Sequence, residues 1–110
     1  MRSFNWTGLT LGGDGVKIVG ENCLVEFSYV DGDALVMCVV NGITEDAADM
    51  SEIVNEAGEA VTRFTATGTG TQKINISGLT PGTFVGIKQI SATAGTATAK
   101  VLTGSSRLKW

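Results

Sequence analysis

The sequence predicts an all-β domain of about seven or eight antiparallel strands, packed as a sandwich or barrel. Three observations carry this expectation. Glycine, aspartate and proline turn signals recur at roughly the 8–12-residue spacing of small β domains. The segments between them are rich in Val, Ile, Thr and Phe, the residues that suit a pleated surface. In "NCLVEFSYV" the residues Cys23, Val25, Phe27 and Tyr29 recur with a period of two, which places them on one face of a strand.

The candidate strands, in order, are "SFNWTGLTL", "GVKIV", "NCLVEFSYV", "DALVMCVVNGI", "AVTRFTATG", "TQKINIS", "TFVGIKQIS" and "TATAKVLTG". Turns are expected at "GGDG" (12–15), "DGD" (31–33), "AG" (57–58), "GTG" (68–70), "TPG" (80–82) and "AG" (94–95). Residues 35–40, "LVMCVV", are apolar on both faces, the pattern of a central strand covered by a loop or a partner subunit. In "EDAADMSEIVN" (45–55), Ala47, Met50 and Val54 fall along one side of a short helix with Thr44 as its cap. The same stretch runs into "EIVNEAGEAV", two β-prone arms around a glycine. We expect one helical turn near 45–50, then a hairpin across Gly58. The Thr, Gly and Ala-rich second half, "FTATGTGTQ" and "SATAGTATAKV", reads as exposed strand rather than flexible tail, because β-branched Thr alternates with small residues.

The 110 residues fit a single domain, 1–110, with one core. The hydrophobic content of 43% and charged content of 17% belong to a folded chain. Eight Lys and Arg against eleven Asp and Glu leave a net charge of −3, with no basic block beyond "RLKW", so a nucleic-acid partner is not expected. No apolar run approaches the roughly 20 residues of a membrane span, and "MRSFNWTGL" holds no signal-peptide core. The expectation is synthesis in a cytoplasm, with no membrane partner. Cys23 and Cys38 both sit inside apolar runs, where a thiol behaves as a small buried hydrophobe. They are expected to be reduced, although strands facing across the core would allow a bond.

Enzymatic chemistry is poorly provided for. Without histidine, the commonest general base and metal ligand is missing, and two cysteines cannot complete a four-ligand structural zinc site. Asp31, Asp33, Glu45, Asp46 and Asp49 offer oxygen ligands, but no twelve-residue calcium loop with its terminal glutamate is present, and Asp-Gly favours turns for its own reasons. The glycines of "GLTLGGDGVKIVG" lack the Gly-Lys-Ser/Thr ending of a phosphate loop. The sequons at Asn5 and Asn75 match the glycosylation pattern, but with no export signal they read as chance. Trp6, Tyr29 and Trp110 could form a sugar-stacking platform; core packing or subunit contact is the competing role for such aromatics. No enzyme, cofactor or metal is expected.

The single proline stands in "LTPGT", where Pro81 fixes φ and Gly82 can adopt the positive φ of a type II turn. Leu79, Pro81, Gly82 and Thr83 resemble the sheet-crossing corner of fibronectin type III and broader immunoglobulin-like sandwiches. That family commonly carries tyrosine two residues beyond the threonine; here the position is Val85, beside Phe84, so a tyrosine-corner hydrogen bond has no donor. The resemblance runs through Ile87, Gly95 and "TATAKVLTG", the last third of the chain, and implies an immunoglobulin-like β-sandwich. Its usual early tryptophan is absent; Trp6 is either a core substitute or a surface anchor.

Low charge, abundant Gly, Thr and Ala, and no catalytic set make the chain similar in kind to the small structural proteins of tailed bacteriophages. That resemblance implies a non-catalytic virion protein, a capsid decoration or cement protein above all. Its partners would be the major capsid protein, other virion subunits or further copies in a homo-oligomer. The alternative is a tail, fibre or cell-surface module that binds carbohydrate or mediates adhesion. Contact arms are expected at the two ends, "MRSFNW" and "RLKW", with Phe4, Trp6, Arg107, Leu108 and Trp110 as partner-binding residues.

Overall fold

The computed structural model describes residues 2–7, 15–18 and 20–104, with the strand backbone alone at 2–7 and 103–104. Among the described residues there are seven strands: β1 (Arg2–Thr7), β2 (Val16–Lys17), β3 (Asn22–Gly42), β4 (Ser51–Glu52), β5 (Phe64–Ile76), β6 (Phe84–Ser91) and β7 (Ala94–Gly104). One 3-10 turn, Ala47–Asp49, interrupts them. All pairings are antiparallel and belong to one hydrogen-bonded sheet, in the order β1-β7-β3-β6-β2, with β4 and β5 on the other side of β3. The all-β expectation therefore holds.

The strand count hides a difference from expectation. "NCLVEFSYV" and "DALVMCVVNGI" form one strand of 21 residues, and "DGD" is a kink within it, not a turn between hairpin arms. Asp31 (φ 52°) and Ala34 (φ 50°) take up the irregularity, and the ladders to β5 and β7 shift register beside them. Because pairing resumes on both sides, the chain bends without leaving the sheet. The exposed Asp31 N–H is satisfied by Thr69 Oγ1 at 3.2 Å.

Glycine makes the bend possible. Gly32 opposes Gly68, and a Cβ on Gly95 would come within 2.8 Å of Gly32 Cα, so β3, β5 and β7 touch backbone to backbone at one point. This crossing also explains why "GTG" (68–70) lies within β5 and "AG" (94–95) within β7, where turns were expected.

The bend folds the sheet over the larger of two buried clusters. Cys23, Val25, Phe27 and Tyr29 before the kink share one buried cluster with Leu35, Met37 and Val39 after it. Phe27 meets Phe64 edge to face, with ring centroids 4.6 Å apart, although their ladder partners are Gln72 and Met37. Burying a side chain such as Phe27 contributes about 1.5–3 kcal/mol. The opposite face of residues 35–40 is covered too. Cys38 and Val40 are buried beneath Ala47, Met50 and Phe84, so the covering element is a loop of the same chain. Its turn is capped by Asp46, whose carboxylate accepts the Ala48 N–H at 3.0 Å, and not by Thr44. An Asp at this position reaches the free N–H groups of the first turn directly.

Candidate functional site

The proline corner is built as a joint. Gly82 has φ 89°, and the Thr83 N–H donates to Thr80 O at 3.3 Å, closing the turn. Gly82 N–H donates to Ile18 O and Ile18 N–H to Thr83 O, each at 2.9 Å, which ties the corner to the segment after β2. Asn41 of β3 donates through Nδ2 to Thr83 Oγ1 (3.0 Å) and Phe84 O (2.8 Å). The corner thus carries the chain from β5, on one side of β3, to β6, on the other. Val85, at the tyrosine position of the corner pattern, is completely buried in the core.

None of the carboxylates flagged in the sequence gathers into chemistry. Among the described residues no group of three or more His, Cys, Asp and Glu is placed to hold a metal ion. Asp31 sits at the kink and Asp46 caps the turn, both local backbone roles. The two thiols are free and face different clusters, Cys23 in the main core and Cys38 beneath the covering turn. Burial pushes the Cys23 thiol up to about 12 and the Cys38 thiol, also raised by Glu52, to about 11. A thiol held protonated in this way is a poor nucleophile.

Tyr29 does not belong to a sugar platform. Its side chain is buried against Gly70, and its hydroxyl accepts from Gln72 Nε2 at 3.4 Å. A ring packed into the core presents no face to a ligand. Of the expected contact residues, Phe4 and Trp6 belong to β1, where they oppose Ala99 and Ala97 of β7. Among the described residues, residues 2–7 therefore form an edge strand. Arg107, Leu108 and Trp110, like the sugar candidate Trp110, lie outside the described residues.

What the structure does present is strand edge. Before the kink the sheet reads β1-β7-β3-β5; among the described residues β1 pairs only with β7, and β5 only with β3. Among the described residues each leaves one row of backbone N–H and C=O groups without a strand partner, the usual template for adding a strand. Along the outer face of β5, Thr65, Thr67, Thr69 and Thr71 are exposed, and Lys73 pairs with Glu26 at 3.8 Å.

A second feature went unnoticed in the sequence. The hairpin expected across Gly58 is present, closed by a bridge between Val54 and Ala60, with Gly58 at φ 80°. It stands beside the end of β5 and leaves two adjoining clefts. One, of about 350 Å³, is bounded by Asn41, Ser51, Glu52 and Leu79; the other, of about 300 Å³, by Val61, Ile74 and Asn75. Ile53, Val54 and Ser77 border both. Val54 and Val61 are 51% and 53% exposed, so they add apolar side chains to clefts whose lining is polar for the larger part. The signal available in the sequence was the unusual placement of Val54 and Val61 on the arms of an otherwise polar, acidic hairpin.

No family model, no curated protein and no solved structure matches the chain, so its function is argued from this geometry.

Proposed function

We propose that the protein is a non-catalytic structural component of a virion, a capsid decoration or cement protein that acts in many copies. The observation that carries the proposal is the pair of open edges, β1 and β5, on the two sides of one four-strand layer. β1 and β5 run antiparallel to each other, since each adjacent pair along β1-β7-β3-β5 is antiparallel. Copies lined up in one orientation would therefore continue the antiparallel alternation from one subunit's β5 to the next subunit's β1. Such addition uses main-chain hydrogen bonds and needs no catalytic group.

The finer fold reading belongs to this proposal. The kinked β3 takes part in both halves of a sheet folded over one core, an arrangement in keeping with a sandwich whose strands pass between layers at bends. The corner at residues 79–83 gives it an immunoglobulin-like joint, with Val85 in place of tyrosine. The partners in this reading are the major capsid protein, other virion subunits and further copies of the chain.

The test is sedimentation with tailed-phage capsid shells, using wild-type protein and a variant carrying proline at Thr67 and Thr71 on the β5 edge. Saturable binding at a fixed number of copies per shell, reduced by the prolines, is the expected result. Wild-type protein that stays in the supernatant at every concentration overturns the proposal.

A further inference from the structure

The joint at residues 79–84 is held by a chemically labile side chain. Asn41 is followed by Gly42, the one Asn-Gly pair in the chain; Asn5, Asn22, Asn55 and Asn75 precede Trp, Cys, Glu and Ile. Asparagine is thermolabile, and most so before glycine, whose backbone nitrogen has no Cβ beside it to hinder its approach to the side chain. The reaction needs only water. Gly42 N forms a bond to Asn41 Cγ, the Cγ–Nδ2 bond breaks, and Nδ2 leaves as ammonia with the proton that Gly42 N gives up. Water then adds to one of the two ring carbonyls and opens the ring, leaving aspartate or isoaspartate. Packing fixes the glycine, because a Cβ on Gly42 would stand 2.9 Å from Met50 Cγ and 3.3 Å from Met50 Cα.

The folded chain holds this pair closed. In the ladder Asn41 opposes Val85 of β6 and Ser51 of β4, and Gly42 opposes Phe84, so both residues are fixed in extended strand. Asn41 Nδ2 is committed twice, to Thr83 Oγ1 at 3.0 Å and to Phe84 O at 2.8 Å. Ring closure must give up both bonds. The same geometry penalises the product. Thr83 Oγ1 donates its one hydrogen to Thr80 O at 2.7 Å, so it meets Asn41 only as an acceptor, as Phe84 O does. A carboxylate in this half-buried position would offer no hydrogen and would set a charged oxygen against two others. A joint that has opened and reacted cannot close as it did before.

We infer that Asn41 is a modification site of this protein, deamidated by cyclisation with Gly42 from states in which the joint at 79–84 has opened, and that the change makes that opening one-way. Ring closure is slow compared with opening and reclosing, so its rate in the folded protein follows the population of the open form. The fold is the inhibitor of its own ageing.

The test follows the mass of the full chain at pH 8 and 37 °C, in buffer and in 8 M urea, with peptide mapping to locate the change. In urea the Asn41 peptide should gain about 1 Da, the exchange of NH2 for OH; in buffer the gain should be at least about tenfold slower. Thr83→Val removes one acceptor from Asn41 and should speed the reaction in buffer by about fivefold or more, without changing its rate in urea. Asn41→Asp reproduces one product and should melt below wild type, at the temperature of the deamidated fraction refolded from urea. Gly42→Ala, compared in urea where its packing does not matter, should react about tenfold more slowly than wild type. Equal rates in buffer and urea, a gain that maps to another asparagine, a Thr83→Val variant that reacts in buffer at the wild-type rate, or Asn41→Asp melting with wild type would each overturn the inference. Should Thr83→Val fail to fold, the buffer-to-urea ratio of wild type and the melting of Asn41→Asp decide it.

Discussion

Thr62 Oγ1 engages both backbone groups of Val39, accepting its N–H at 3.2 Å and donating to its C=O at 3.0 Å. The side chain stands in for a ladder partner of the Val39 N–H where β3 has run past Phe64, the first residue of β5, and has not yet met β4, which begins its pairing at Val40; the Val39 C=O also accepts the Ile53 N–H at 3.4 Å. Thr62 is buried, 3% exposed, so a group left unpaired here is shielded from water. Thr62→Val keeps the shape and removes the hydroxyl. It should cost about 1–3 kcal/mol, the range for an unsatisfied buried donor, with Thr62→Ser closer to wild type; urea unfolding midpoints measure both.

Gly86 lies under the covering turn. A Cβ there would stand 3.0 Å from Met50 Sδ and 3.0 Å from Ala47 Cβ. Gly86→Val should therefore lift the turn off Cys38 and Val40 and destabilise by about 1–3 kcal/mol, as overpacking does. Shortening the neighbour in the double variant G86V/M50A should return part of that loss. Strict additivity of the two single effects would mean that Met50 does not rest on this glycine.

At the kink, Ala34 holds φ 50°, a left-handed conformation that costs a residue with a Cβ about 1–2 kcal/mol. Glycine removes that cost but adds about 0.4–1 kcal/mol of unfolded-chain entropy. The net expectation for Ala34→Gly is a gain of up to about 1.6 kcal/mol, seen as a raised Tm. A clear loss would contradict the kink geometry.

The thiols give the fold an alkaline limit. In the folded chain both titrate above the ordinary 9.0, Cys23 at about 12 and Cys38 at about 11. Above pH 9 the unfolded chain loses thiol protons that the folded chain keeps, so unfolding is favoured as pH rises. Stability should be fully present below pH 9 and fall between pH 9 and about 11–12, by at most about 1.4 kcal/mol per pH unit per thiol. Unfolding curves at pH 8 and pH 10.5 read the difference, and the double variant C23A/C38A should show a shallower decline. At pH 8 a disulfide-exchange reagent should label the native protein no faster than it unfolds.

Much of the core was legible because period two is a strong local signal. Cys23, Val25, Phe27 and Tyr29 alternate in sequence and are buried in the structure, and the two-faced run 35–40 is covered on both sides. The kink was not legible. Asp-Gly-Asp has the chemistry of a turn, and only the crossing of Gly32 with Gly68 and Gly95, residues more than thirty positions away, makes it a bend in one long strand. Thr44 and Asp46 both suit a cap, and the choice fell to the residue whose carboxylate reaches Ala48 N–H. Tyr29 was open to two roles until Gly70 gave its ring a surface to pack on. The cleft was the least visible feature, since it lies between the hairpin and β5 and no contiguous stretch of sequence encodes it.

The most direct test of the account is the mass of the wild-type protein in solution by light scattering, over a wide concentration range and then with tailed-phage shells. The chain alone weighs 11.4 kDa. The account predicts a mass that rises with concentration above 11.4 kDa and a fixed number of copies on each shell. A mass of 11.4 kDa at every concentration, with no binding to shells, would contradict it.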